Sequence, residues 1–241
     1  MAPSFLDWLN YSPNLSWLDL GCGTGALSEA IIKHCQPAHL TCTDPSPEFL
    51  KKAEERLAGK ADFAVGNAMA IPGNAESFDV IVSGLALNFF SNVPTAITEM
   101  KRVVTPNGII AAYVWDYADR MDFLRIFWDT ACELNPEACK FHEGVRFSIC
   151  NASRLEAAFI EAGLVDVYTA NLDINTIFKD FDDYWQPFMG GQGPAPGYVA
   201  SLTDNEREAL KEALYEKLNL QIDGRIKLLA RAIAVKGMKK L

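Results

Sequence analysis

Short apolar runs alternate with stretches of helical period through the first half of the chain. That alternation is the pattern of parallel strands joined by crossover helices, and it predicts an α/β fold. Ser16–Leu20 reads as the first strand and Gly25–Cys35 as the first helix. His39–Thr43 reads as the second strand, ending at Asp44-Pro45, and Pro47–Leu57 as a helix with Ser46 as its N-cap. Ala61–Val65 and Phe78–Ser83 supply the third and fourth strands. Pro94–Val104 predicts a helix that stops at the breaker Thr105-Pro106-Asn107-Gly108, and Ile109–Trp115 predicts the fifth strand.

The second half is less regular. Asp119–Asn135 carries a helical stripe of Met121, Leu124, Phe127, Trp128 and Ala131. Ser153–Ala162 reads as a helix closed by Gly163, and Val165–Ala170 as a strand. Phe181–Met189 is aromatic-rich and helical in pattern, and Gly190–Gly197 reads as a loop. Thr203–Asn219 predicts an amphipathic helix that opens with capping-box spacing, Thr203 to Glu206. Arg225–Val235 reads as the last strand.

Composition narrows the class. The 241 residues fit one domain with insertions, and 49% hydrophobic content supports a sizeable core. No apolar run approaches the roughly 20 residues of a membrane span, and Met1-Ala2-Pro3-Ser4 lacks the basic start of a secretory leader. A cytoplasmic protein is the expectation. The net charge of −9 disfavours nucleic acid as a partner. Lys236–Lys240, the one basic cluster, reads as a solvated terminal fringe. Six cysteines, at 22, 35, 42, 132, 139 and 150, show no metal-ligand spacing. They are expected as reduced, buried thiols, with no metal site.

The densest chemistry lies in Trp17-Leu18-Asp19-Leu20-Gly21-Cys22-Gly23-Thr24-Gly25. An apolar strand ends near an acid, three alternating glycines follow, and a helix begins at once. Such glycines let the backbone turn and approach a ligand closely, and the helix start favours an anionic or polar group. The dinucleotide fingerprint is G-x-G-x-x-G, whereas this loop is G-x-G-x-G. Asp44 lies 21 residues after Gly23, near the spacing of a ribose-binding acid. Its carboxylate has acceptor sites for two hydroxyls. A plain turn role for Asp44 before Pro45 is the alternative.

These residues resemble the class I S-adenosylmethionine-dependent methyltransferases. The resemblance covers residues 16 to about 115. It rests on the glycine loop, on Asp44, on Gly66-Asn67-Ala68-Met69-Ala70-Ile71-Pro72, on Phe78–Phe89, and on Arg102-Val103-Val104-Thr105-Pro106-Asn107-Gly108. It implies a doubly wound, seven-stranded, mostly parallel sheet with an antiparallel last strand and a helical cap built from insertions near 117–151 and 174–199. It implies S-adenosylmethionine as cofactor, held by Asp19, Gly21, Cys22, Gly23, Gly25, Asp44, Pro45, Asn67, Ala68, Ser83, Gly84 and Leu85. Asn67 stands where relatives carry an aspartate that accepts from adenine. Its amide keeps an acceptor oxygen but no charge, and an Asx-turn is its other reading. Within the family the chain is similar to the small-molecule branch, which includes quinone-type enzymes. Its second half resembles a subgroup of unassigned substrate.

The expected acceptor is a small apolar or aromatic metabolite, met by Asn88, Phe89, Trp115, Tyr184 and Trp185. For each cap aromatic, simple core packing is the competing reading. A base matters only for protic acceptors. Asp116 is the candidate, with His142 and Glu143 behind it. Ser4–Leu9 reads as the end of a helix over the cofactor, and a shortened lid would lower affinity. Two other functions compete: a non-catalytic cofactor- or partner-binding protein that retains the fold, and a nicotinamide-dependent oxidoreductase. Oligomeric state has no signature in the sequence.

Overall fold

A computed structural model describes residues 1–190, 193–218 and 221–240. The chain opens with α1 (Ala2–Leu9), which buries Phe5, Leu6 and Leu9. β1 (Ser16–Leu20), α2 (Ala26–Cys35), β2 (His39–Asp44), α3 (Pro47–Leu57) and β3 (Asp62–Val65) follow. Next come β4 (Phe78–Gly84), α4 (Val93–Val103) and β5 (Val104–Trp115). The second half holds α5 (Asp122–Leu134), α6 (Glu143–Arg146), α7 (Ala152–Glu161) and β6 (Leu164–Phe178). After these stand α8 (Phe181–Trp185), α9 (Pro194–Ser201), α10 (Asp204–Lys217) and β7 (Ile226–Lys239).

The seven strands form one sheet in the order β3-β2-β1-β4-β5-β7-β6. The first five run parallel, and the last strand is antiparallel. β1 sits between β2 and β4, so the order reverses at its carboxyl end. Open parallel sheets bind ligands at such a reversal. Four of the five β1 residues are buried, as expected of a strand covered on both faces.

The chain forms two compact units. The first is Met1–Val114, Asn151–Leu172 and Ile233–Leu241; the second is Trp115–Cys150 and Asp173–Ala232. The segments 117–151 and 174–199 fall almost wholly in the second. Its core is a stack of rings: Phe127 lies 4.4 Å from Phe188 and Phe123 lies 4.6 Å from the same ring, both nearly parallel.

Several elements differ from their sequence pattern. The Thr105–Gly108 breaker lies inside β5. Val104 pairs with Phe78 and Ile109 with Val80, so the turn residues bulge out while the strand continues. Asn107, at φ 62°, makes the bulge. The strand expected at Val165–Ala170 extends over fifteen residues as β6. The segment Phe181–Met189 splits into α8 and a 3-10 turn at Gln186–Met189, where Pro187 ends α-helical bonding. Helix α9 begins at Pro194, inside the segment read as a loop; Gly191 and Gln192 of that segment lie outside the described residues. Helix α10 has the anticipated capping box on Thr203 and ends at Lys217; Asn219 lies outside the described residues.

Two expectations are corrected outright. Lys236–Lys239 is no solvated fringe, because β7 runs through to Lys239. Lys236 Nζ sits 4.8 Å from the Trp8 ring centre, and Lys239 donates to the Val104 carbonyl at 2.9 Å. The six cysteines are not all free. Cys132 and Cys139 are joined, with Cα atoms 5.2 Å apart, because the chain folds back after α5. Cys22, Cys35, Cys42 and Cys150 are free and buried.

Candidate functional site

The first unit concentrates polar backbone at the carboxyl ends of β1, β2 and β4. β1 ends at Leu20, and the Gly21 and Cys22 N–H groups both donate to the Thr43 carbonyl, at 2.8 and 3.0 Å. This pins the glycine loop to the end of β2. Gly21 needs its φ of +73° and its lack of Cβ, since a Cβ there would stand 2.7 Å from Ala86 Cβ. Gly23 differs. Its φ is +55°, and a Cβ would meet nothing within 4 Å. The space beside Gly23 is open, and the Gly23 N–H donates to Asp44 Oδ2 at 2.9 Å. Gly25 caps α2 by its backbone, with no side-chain cap on the helix start, which leaves donors facing outward.

Asp44 is buried, and its other oxygen accepts from the Ser46 N–H at 2.9 Å. The carboxylate therefore joins the glycine loop to the start of α3, with acceptor capacity to spare. Ser46 caps α3 by accepting from the Phe49 N–H. Pro45 between them is exposed.

Asp19 is 1% exposed. One oxygen accepts from Ser28 Oγ at 2.5 Å, and the other has no partner among the described residues. Burial pushes its carboxyl up to about 7. Ser28, one turn into α2, is a residue that sequence reasoning passed over; only its position near Gly25 could have signalled it. The Cys22 thiol is pushed up by its hydrogen bond with Cys42 and by burial, so it is a poor nucleophile, and Cys22 contributes its backbone.

Asn67 is exposed, and its Oδ1 accepts from the Met69 N–H at 2.9 Å, an Asx-turn. Ala68 beside it is buried. The Gly66 N–H donates to the Asp44 carbonyl, so this loop hangs on the same residue as the glycine loop. Arg102 secures its far end, donating to the carbonyls of Ile71 and Gly73 at 2.8 and 3.1 Å while pairing with Glu99.

At the end of β4, Ser83 is fully buried and its Oγ has no partner among the described residues. Gly84 packs against Leu27 and the Tyr113 hydroxyl. Leu85 adopts φ +58°, a left-handed conformation that costs a side-chain-bearing residue about 1–3 kcal/mol. Its N–H is held by the Tyr113 carbonyl. The following 3-10 turn, Leu87–Phe89, buries Asn88 with neither amide atom partnered among the described residues and leaves Phe89 64% exposed. Strain and orphaned polar atoms at one strand end are what a ligand-binding loop carries.

The remaining candidates belong to the second unit. Trp115 is half-buried at the end of β5. Asp116 is buried, and its Oδ1 accepts from the Asp119 N–H at 3.2 Å, which shapes the turn before α5. Burial raises its carboxyl above the usual range. Burial also raises Glu143, whose carboxylate accepts from Trp128 Nε1, and lowers His142. Tyr184 and Trp185, expected to line a substrate pocket, are core residues. Tyr184 is 0% exposed, and its hydroxyl is spent on the Phe123 carbonyl at 3.1 Å. Trp185 is buried among the same rings.

The residues around Gly23 fit an adenosine-type cofactor. There is open space beside one glycine, a buried acid at the second strand, and unpartnered polar atoms at the fourth. Comparison with known proteins agrees. Residues 18–112 match a family model described as a methyltransferase domain. An uncharacterized methyltransferase of Schizosaccharomyces pombe is 33% identical over 57% of this chain and 53% of its own length. A malonyl-[acyl-carrier protein] O-methyltransferase of Halorhodospira halophila is 25% identical over 87% of this chain and 69% of its own. The chain thus spans about half the length of the first relative. A Haemonchus contortus phosphoethanolamine N-methyltransferase, solved with S-adenosyl-L-methionine, shares the fold at TM-score 0.62. It is 14% identical, over 100% of this chain and 52% of that one. Sheet order, glycine loop and family match together make residues 18–112 a methyltransferase domain of the class I S-adenosylmethionine-dependent kind.

Proposed function

We propose that the chain transfers a methyl group from S-adenosylmethionine to a small apolar or aromatic metabolite and releases S-adenosylhomocysteine. The carrying observation is the open space at Gly23 beside the Asp44 carboxylate. When bound, the cofactor supplies an electrophilic methyl group on a sulfonium with a neutral leaving group.

The chain's own residues bind and orient. Asp44 accepts the ribose hydroxyls with the acceptor capacity left after Gly23 and Ser46. Asn67 and Ala68 meet the adenine edge. The Gly21–Gly25 backbone, supported by Asp19, and the Ser83–Leu85 segment beside it receive the amino-acid portion. Asn88 and Phe89 meet the acceptor. In-line attack asks mainly for positioning and water exclusion. The H. halophila relative's name specifies O-methylation of a malonyl group carried on an acyl-carrier protein, which supports transfer to a small acceptor group. Among the described residues no helix is long and apolar enough to cross a membrane.

Calorimetric titration with S-adenosylhomocysteine tests the cofactor assignment. Binding is expected, and no heat at millimolar ligand overturns it. Transfer of labelled methyl to a metabolite fraction then separates the enzyme from a binding protein that kept the fold.

A further inference from the structure

Four cysteines are buried and free, whereas Cys132 and Cys139 are half-exposed and joined. Cys132 lies near the end of α5, and Cys139 lies in the 3-10 segment Pro136–Phe141 that follows. The reversal between them has its own supports. Asn135 Oδ1 accepts from the Glu137 N–H at 3.1 Å, and Ala138 is fully buried. The fold therefore brings the two sulfurs together without needing the bond. A Cα separation of 5.2 Å lies in the range a disulfide spans, so opening and closing need little backbone movement.

Both cysteines border a cavity of about 680 Å³, with Arg125, Asp129, His142 and Lys217 on its wall. Arg125 is already paired with Asp122 and Asp129, and Lys217 with Glu133. The cavity thus offers a small reagent access to sulfur more than it offers charge selectivity. Accessible disulfides are the labile ones, whereas buried ones resist exchange.

We propose that Cys132 and Cys139 are a reversible dithiol–disulfide site that locks the corner after α5, with a small disulfide such as oxidised glutathione as oxidant. One protein thiolate attacks a sulfur of the oxidant and expels a first small thiolate. The second protein thiolate attacks the cysteine sulfur of the mixed disulfide and expels the other. Two electrons pass to the oxidant, and its two halves leave as thiols carrying the two protein protons. The corner leads directly to Glu143, whose carboxylate is held by Trp128 of α5, so the bond restrains a buried link of the second unit. This site stands apart from the methyl-transfer reading and does not depend on it.

The test equilibrates the full chain in buffers of rising oxidised-to-reduced glutathione ratio, alkylates free thiols and maps peptides by mass spectrometry. The Cys132–Cys139 linkage is expected to rise and fall reversibly with the ratio, while the four buried cysteines stay unlinked. The oxidised form is expected to melt about 5 °C higher than the reduced form and to be cut more slowly by trypsin after Lys140. Cys139→Ser is expected to trap glutathione on Cys132, and a variant lacking both cysteines is expected to ignore the ratio. Absence of the linkage at every ratio, a linkage that reducing buffer fails to open, or the same melting shift in the double variant would overturn the proposal.

Discussion

The strand ends around Gly23 and the ring stack around Phe127 hold their shapes by opposite means. The first is built from backbone: Gly21, Cys22, Gly23 and Ser46 donate N–H groups to Thr43 and Asp44, and few side chains fill the space. The second is built from side chains: Phe123, Phe127, Tyr184 and Phe188 pack ring on ring with their polar atoms spent internally. One region keeps polar atoms at Asp19, Ser83 and Asn88 without a partner among the described residues, and the ring stack spends its Tyr184 hydroxyl on the Phe123 carbonyl. The polar, strained region has the features that ligand-binding loops carry, and the ring stack has those of a core.

Four changes sharpen that contrast. Phe127→Ala, which removes a fully buried ring, should lower stability by about 3–5 kcal/mol in urea unfolding. A loss under about 1 kcal/mol would mean that the ring stack is not the core of its unit.

Asp19→Asn bears on pH. The folded-state carboxyl titrates at about 7, above its unfolded value. The stability this group contributes is therefore fully present below about pH 4 and is lost as pH rises through about 7. The wild-type chain should lose about 4 kcal/mol from this group across that window, and the asparagine variant should lack the slope. Parallel pH profiles of the two proteins would contradict the burial of Asp19.

Asp44→Ala should weaken S-adenosylhomocysteine binding by about 30-fold, the equivalent of about 2 kcal/mol for a charged acceptor lost. Unchanged affinity in calorimetry would leave Asp44 with only its turn role. Ser46→Ala separates the two readings further. It removes the α3 cap seen at Phe49 and should cost about 1 kcal/mol of stability while leaving cofactor affinity within about twofold.

Legibility in the sequence followed the range of the forces involved. The Pro47–Leu57 helix with its Ser46 cap and the Thr203 capping box rest on bonds between residues a few positions apart, and the glycine loop announces itself by torsions that its own residues adopt. Asp44 takes its turn role through Ser46 and also accepts from the Gly23 N–H of the glycine loop, a bond over 21 residues that spacing alone did not give. The Thr105–Gly108 breaker misled because a bulge opposite Phe78 absorbed it. β6 ran past its short apolar pattern, and the lysines after Val235 joined β7. Sheet pairing there came from distant strands that no local window contains.

By itself the sequence determined the glycine loop and the family it resembles, because glycine torsions and a helix start act over few residues. Only the tertiary structure decided that Asp19 is buried enough to hold a proton near neutrality, that Tyr184 is core, and that Cys132 meets Cys139. Burial and proximity are sums over neighbours brought together from far along the chain, and those sums exist only once the chain has folded.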